Sequence, residues 1–247
     1  ITKYSYKLKN ASEIRYVLEK AYYLATTGRP GPVLIDIPMD LQRVVVNPKK
    51  LKPYKPVIEK KSLNYKNIII KIENLLKKSK KPVLILGGGI KCGKAELDLL
   101  KFLKILKIPI VTTWSGVDLV DYNNKYYIGN VGVYGSRAAN FTVQNSDLIF
   151  CLGTRLDTRI TGGVPKSFAR DAKKIVVDIS RLELDKKRGL KIDLKIELDI
   201  KIFFQEYEKY KKEIIKKNDW LLRCKNWKSK YPVILKKFYN IKKYVNP

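Results

Sequence analysis

Apolar positions in this chain follow two patterns: short unbroken runs, and longer stretches in which they recur every three or four residues. The runs are Val33–Ile37, Pro82–Leu86, Ile108–Thr113, Asp147–Leu152 and Lys174–Ile179. Such runs suit strands covered on both faces of a parallel sheet. The stripes lie at Ile14–Thr27, Asn64–Lys77, Ala95–Leu106, Ser136–Gln144 and from Asp199 to about Lys216. Each places its apolar side chains along one helical face, as at 65, 68, 69, 72, 75 and 76. A weaker strand is expected near Leu190–Ile196, a long loop over Trp114–Tyr134 and a polar loop over Gly153–Lys166. Strands alternating with helices predict an α/β fold, a Rossmann-like doubly wound parallel sheet with right-handed crossovers. Ligands of such sheets lie at the carboxyl ends of the strands.

Glycine and proline divide the chain into segments. The first helix should stop at Gly28, which takes the left-handed conformation readily, and Pro30 and Pro32 forbid its continuation. Pro38 then ends the first strand, so residues 1–40 read as a helix–strand tail. Residues 41–62 hold Pro48, Pro53, Pro56 and many lysines with little periodicity, the composition of a linker. Residues 63–216 carry the alternating pattern, and 217–247 read as an amphipathic helix with Trp220 and Trp227, then an extended tail. The chain opens on Ile1 in what reads as the middle of a domain, so a longer polypeptide is expected.

Charge changes this picture little. The 247 residues carry 52 basic and 23 acidic side chains, a formal charge of +29. Only 10 of the basic residues are Arg, and the lysines are spread through every segment rather than gathered in one stripe. No nucleic-acid-binding signature appears, so no nucleic-acid partner is expected. Histidine is absent, which excludes His-based zinc sites and Ser-His-Asp or Cys-His chemistry from this stretch. Cys92, Cys151 and Cys224 have neither metal-ligand spacing nor a disulfide framework, and Cys151 falls in an apolar strand, as an inert buried thiol does. No apolar run reaches membrane-spanning length, so no membrane partner is expected.

Candidate chemistry gathers where runs end. Gly87-Gly88-Gly89 follows the run at Pro82–Leu86; glycines there let backbone approach a ligand and leave N–H groups to face a phosphate. A merely tight turn fits the same residues. Arg155, Asp157 and Arg159 alternate after Gly153, so in an extended segment all three project to one side. Two guanidiniums grip a diphosphate, with Asp157 orienting one of them; a surface salt-bridge set is the alternative. Asp178 and Ile179 close the run at Lys174–Ile179; the carboxylate either accepts from a ribose or caps the following turn.

The segment from Thr27 to Asp40 resembles the last helix and strand of the pyrimidine-binding domain of thiamine-diphosphate enzymes, especially the acetolactate synthase large subunit and its decarboxylase relatives. Gly153-Thr154-Arg155-Leu156-Asp157-Thr158-Arg159, followed by Thr161-Gly162, resembles that family's flavin-contacting loop. Thr112-Thr113-Trp114-Ser115-Gly116 and Gly132-Val133-Tyr134-Gly135 are similar to two further flavin loops, in the same order. This chain departs from the family at Trp114, Val133, Tyr134 and Ser180. The resemblance spans nearly the whole chain and implies the end of the pyrimidine-binding domain, a linker, the central domain and the start of the connection to the diphosphate-binding domain. It implies a parent that decarboxylates a 2-keto acid and joins the fragment to an acceptor, in branched-chain amino acid biosynthesis. Thiamine diphosphate and Mg²⁺ would serve that parent from sites outside this chain: an activating glutamate upstream of Ile1 and a Gly-Asp-Gly…Asn motif downstream of Pro247. FAD or ADP would occupy the central domain, and another lyase whose central domain holds ADP, CoA or nothing is the alternative. A stand-alone nucleotide- or nucleic-acid-binding module is the reading from outside the family. The implied cofactor-binding residues are Gly87, Gly88, Gly89, Thr113, Trp114, Gly132, Tyr134, Gly153, Arg155, Asp157, Arg159, Asp178 and Ile179, with no catalytic or metal-binding residue. The resemblance also implies a cytoplasmic homodimer or homotetramer.

Overall fold

Residues 1–57, 63–187, 189–211 and 215–234 are described by the computed structural model, and they fall into two units, Ile1–Leu63 and Asn64–Pro247. The expected linker's residues 58–62, residues 212–214 of the helix expected to reach about Lys216, and the tail at 235–247 lie outside the described residues; Ile215–Lys216, the expected end of that helix, is a short strand instead.

In the first unit, strand β1 (Tyr4–Lys7) runs into helix α1 (Ile14–Thr26), which crosses to β2 (Val33–Asp36). β1 and β2 pair in parallel, Tyr4 opposite Val33 and Lys7 opposite Asp36. α1 leaves through Gly28 at φ 62°, the left-handed exit that its sequence predicted. β1 was not expected, because Tyr-Ser-Tyr-Lys is too short and polar to stand out as a run. β2 is parallel but not covered on both faces: its residues alternate half-buried and exposed, and Leu34 faces solvent. A short helix, α2 (Met39–Gln42), follows.

The second unit begins with α3 (Tyr65–Lys78), whose Asn64 caps it by accepting the Asn67 N–H. Then come β3 (Pro82–Leu86), α4 (Gly89–Cys92), α5 (Glu96–Leu103), β4 (Leu106–Lys107), β5 (Ile110–Thr112) and β6 (Tyr127–Asn130). α6 (Arg137–Gln144) leads to β7 (Leu148–Leu152), α7 (Thr158–Thr161) and β8 (Lys173–Asp178). The remaining elements are α8 (Arg181–Leu184), β9 (Leu194–Glu197), α9 (Ile200–Tyr210), β10 (Ile215–Lys216) and α10 (Asn218–Lys230). β6, β5, β3, β7, β8 and β9 lie side by side in one sheet, every pair parallel. In chain order that is third, second, first, fourth, fifth, sixth, the doubly wound arrangement that reverses direction between β3 and β7.

β6 falls inside the stretch expected as loop. It is four residues long, is interrupted by Gly129 at φ 152°, and joins β5 across a register shift, so it shows neither alternation nor an apolar run. The stripe at Ala95–Leu106 is a shorter helix whose end turns extended as β4 and pairs with β10. The last expected strand lies a few residues later, at β9.

Alternation along each strand feeds two cores. Val83 and Ile85 of β3, with Ile149 and Cys151 of β7, face Ala138, Ala139, Val143, Trp220, Leu221 and Cys224 of α6 and α10. The opposite face packs Phe150 against Phe102 of α5 and Phe203 of α9, with ring centroids 6.3 and 5.9 Å apart. Each such buried ring contributes about 2–3 kcal/mol. Two polar stitches fix the amino ends of the central strands. Asp147 accepts the Lys80 N–H at 2.7 Å, the Lys81 N–H at 3.0 Å and the Ser79 hydroxyl, tying the entry of β3 to that of β7. Trp220 Nε1 donates to the Pro82 carbonyl at 3.1 Å, which docks α10 on the sheet.

Candidate functional site

Because the six strands are parallel, the segments after β3, β5, β6, β7 and β8 emerge on one edge of the sheet. These are the segments that the sequence marked. Gly87, Gly153 and Asp178 therefore share an edge, and the first two flank the point where strand order reverses.

The glycines there are packed against one another rather than held open. The Gly87 N–H donates to the Leu152 carbonyl and the Gly89 N–H to the Gly153 carbonyl, both at 2.9 Å. The Gly153 N–H in turn goes to the Val177 carbonyl at 3.1 Å. A Cβ on Gly87 would lie 2.3 Å from the Gly153 oxygen, and one on Gly88 would lie 2.7 Å from Ser115 Cβ. Gly153 itself sits at φ 62°. The expected phosphate-facing N–H groups of Gly87 and Gly89 are thus already used. Glycine is required here because two backbones and the Ser115 loop meet closer than any side chain allows.

The Arg155-Leu156-Asp157-Thr158-Arg159 segment is not extended, and its three charged residues do not line one side of a strand. Leu156 is buried at φ 49°, and Asp157 is the N-cap of α7, its carboxylate accepting the Arg159 N–H at 3.0 Å. Capping outcompetes extension here because Asp before a Thr-Arg-Ile-Thr turn satisfies donors that would otherwise be unpaired. Arg155 and Arg159 are both exposed at this edge. The segment ends at Gly162 (φ 78°) and Gly163, around which there is open space.

Trp114 and Tyr134 are half or more exposed, and their rings stack on each other, centroids 5.2 Å apart and planes at 23°. Thr113 is buried and its N–H donates to the Leu86 carbonyl at 2.9 Å. Gly132 adopts φ 127°, and a Cβ there would meet the Arg159 carbonyl oxygen at 2.6 Å. The Val133 N–H donates to that same oxygen at 2.8 Å. Asp178 ends β8 and accepts the Ser180 N–H at 2.8 Å, the turn-capping alternative, with Ile179 half-buried beside it.

Sequence reasoning assigned no role to the polar residues beneath these loops. Thr112 Oγ1 donates to Asn130 Oδ1 at 2.6 Å and pairs with the Tyr127 hydroxyl at 3.1 Å. Burial raises the Tyr127 phenol above its ordinary value, against the Thr112 hydrogen bond. Asn140 reaches back from α6 to Gly132. An Asn one turn into a helix of small residues was the available signal for it.

Among the described residues no group of three or more His, Cys, Asp or Glu side chains is placed to hold a metal ion, and no helix is long and apolar enough to cross a membrane. The edge offers exposed guanidiniums, a strand-end carboxylate and stacked aromatic faces beside the reversal point, chemistry suited to a flat anionic ligand. A dinucleotide gains nothing here from the N–H groups of Gly87 and Gly89, which are already bonded to the main chain across the reversal point.

The model of a family described as "Thiamine pyrophosphate enzyme, central domain" matches residues 69–207, from within α3 to within α9. The acetolactate synthase large subunit of Cyanidium caldarium is 34% identical over 244 residues, covering 94% of this chain and 41% of that protein. A probable acetolactate synthase large subunit of Methanococcus aeolicus is 33% identical over 230 residues, 90% of this chain and 36% of that protein. The acetolactate synthase isozyme 2 large subunit of Escherichia coli (strain K12) is 34% identical over 198 residues, 80% of this chain and 35% of that protein. The chain thus spans 35–41% of the length of these relatives.

Proposed function

The chain belongs to the thiamine pyrophosphate enzymes, whose central domain it carries at residues 69–207, and we propose that its parent is a 2-keto acid decarboxylase and carboligase of the acetolactate synthase kind. Identity of 34% across 94% of the chain to a named acetolactate synthase large subunit carries this reading. In it, residues 1–40 close the pyrimidine-binding domain, 41–62 link, 63–216 form the central domain and 217–247 lead toward the diphosphate-binding domain. Thiamine diphosphate with Mg²⁺ supplies the carbon–carbon bond chemistry when bound, from residues elsewhere in the polypeptide. Partners are a small 2-keto acid and further copies of the chain, in a cytoplasmic homodimer or homotetramer.

The central domain's part is to seat a nucleotide, FAD or ADP, across the strand-end loops. Arg155 and Arg159 hold its phosphates, Asp178 and Ile179 lie toward its ribose, and Trp114 and Tyr134 offer ring faces. Gly87, Gly88, Gly89, Gly132 and Gly153 keep the floor tight, with Thr113 and Asp157 fixing the loop backbones. One observation favours a second reading, in which ADP or nothing binds: Trp114 and Tyr134 already stack on each other, where a flavin ring would otherwise find two aromatic faces.

The test uses the full-length polypeptide with thiamine diphosphate, Mg²⁺ and pyruvate. Acetolactate formation is expected, and pyruvate left unconsumed overturns the carboligase reading. Calorimetric titration with FAD and ADP then tests the nucleotide seat. Arg155→Ala removes a charge-assisted contact of about 1.5–3 kcal/mol, a loss of roughly 10- to 150-fold in affinity. Unchanged affinity, or no binding to the wild type, overturns the seat.

A further inference from the structure

Asn140 lies in the first half of α6 with its side-chain amide turned to Gly132. Oδ1 accepts the Gly132 N–H at 3.0 Å, and Nδ2 donates to the Gly132 carbonyl at 2.9 Å. One amide thus takes both main-chain groups of one residue, which is possible because Asn carries donor and acceptor in a single plane, as a peptide does. Gly132 needs this hold. At φ 127° it holds a conformation that other residues rarely adopt, and the Arg159 carbonyl presses on it where a Cβ would be. The next residue, Val133, donates its N–H to that carbonyl at 2.8 Å. One residue further, the Tyr134 ring meets Trp114. Gly132 is therefore the point at which the loop after β6 touches the loop after β7, and the ring pair extends that contact to the loop after β5.

We propose that Asn140 is a positioning residue: by gripping Gly132 it fixes both the Tyr134–Trp114 ring pair and the backbone that carries Arg159. Without the amide, two hydrogen bonds are lost at a glycine: its N–H loses the Asn140 acceptor, and its carbonyl keeps only the Gly135 N–H at 2.9 Å, a bond inside the same turn. The loop then samples other φ values, Val133 loses its aim at the Arg159 carbonyl, and the two rings part. The effect on the rings rests on geometry alone. The effect on ligand affinity rests on the nucleotide reading above.

The experiment keeps these apart and uses the full-length protein. Near-ultraviolet circular dichroism is compared among wild type, Asn140→Ala, Trp114→Phe and the double variant. Asn140→Ala is expected to remove most of the signal that Trp114→Phe removes, and to change little in the Trp114→Phe background. Asn140→Asp keeps the acceptor for the Gly132 N–H but cannot donate to the carbonyl, and is expected to retain part of the signal. It decides the matter in the same cycle if Asn140→Ala does not fold. A Trp114 signal untouched by Asn140→Ala overturns the proposal. So does a change of equal size in the Trp114→Phe background, which would mean general loosening. ADP titration reads the second consequence: Asn140→Ala should weaken binding about thirtyfold, two ordinary hydrogen bonds' worth. Undiminished ADP binding overturns the link to Arg159. A wild type that binds neither ADP nor FAD removes the nucleotide reading, and the dichroism cycle still decides Asn140.

Discussion

Replacing Gly87 by Ala separates the two reasons for which a glycine can stand at a strand end. The added methyl would lie 2.3 Å from the Gly153 oxygen, 2.6 Å from Thr154 Cβ and 2.8 Å from the Gly153 carbonyl carbon. Comfortable contacts are near 3.5 Å, so the segments after β3 and β7 must part by about 1 Å. Those segments are backbone, tied by the Gly87 and Gly89 N–H bonds to Leu152 and Gly153 at 2.9 Å, and cannot step aside as a side-chain tip does. Overpacking of this kind costs about 1–3 kcal/mol, and each backbone hydrogen bond stretched open about 1 kcal/mol more. A loss of about 3 kcal/mol is expected, a large share of the roughly 5–15 kcal/mol that holds a domain together. Gly163→Ala is the control: nothing lies within 4 Å of its Cβ, so its effect should stay within about 0.5 kcal/mol. Urea denaturation of both variants, read by midpoint and slope, makes the comparison. If Gly87→Ala shifts the midpoint no more than Gly163→Ala does, close approach is not what requires the glycine. Loss of nucleotide binding at unchanged stability would return the glycines to a phosphate-binding role.

Four further outcomes are expected. Asp147→Ala strips acceptors from Ser79, Lys80 and Lys81 at the entry of β3 and should cost about 2 kcal/mol in thermal or urea unfolding, with Asp147→Asn intermediate. Burial raises the thiols of Cys151 and Cys224, the latter to about 12, while Cys92 is exposed; at pH 8 only Cys92 of the three should be labelled by a thiol reagent, as peptide mapping will show. The same raised Cys224 value sets a sign: the unfolded chain loses that proton first, so this site's stabilisation is whole below the ordinary thiol range near 8.5 and is lost as pH climbs toward about 12. Finally, the 247-residue chain by itself should turn over no pyruvate when given thiamine diphosphate and Mg²⁺; turnover would refute its assignment as a central portion.

The sheet was legible because each of its inner strands is an unbroken apolar run that ends in Gly, Thr or Asp, and those endings become the loops of one edge. Burial on both faces writes itself into sequence in that way. β6 and β1 were not legible for the converse reason. At the rim of the large sheet, Tyr-Ile-Gly-Asn is held by its partner strand and by the Asn130–Thr112–Tyr127 hydrogen bonds, none of which is a local signal. In the first unit, Tyr-Ser-Tyr-Lys has β2 as its one strand partner among the described residues. The Arg-x-Asp-x-Arg spacing was visible, but its geometry was not. Alternation implies one face only in an extended chain, and Asp157 starts a helical turn instead. Asn140 shows the same limit from the other side: its identity was plain, and its partner, eight residues back, is set by how α6 returns over the loop.

The departures at the edge of the sheet alter what the fold can ask of a ligand. In a doubly wound sheet the reversal between β3 and β7 opens a crevice because the two chain directions diverge there, and a glycine-rich turn usually lends that crevice its N–H groups. Here those groups close the crevice floor on itself, Gly87 to Leu152 and Gly89 to Gly153. In the nucleotide reading proposed above, the hold on an anion is longer and softer, through the exposed guanidiniums of Arg155 and Arg159. Binding through such side chains should weaken steeply with added salt, whereas binding through a fixed N–H cradle in a dry crevice should not. Salt dependence of ADP affinity therefore distinguishes the two designs in one titration series. A flat response would mean that the floor opens to admit the ligand, and that the glycine contacts seen here belong to the closed state.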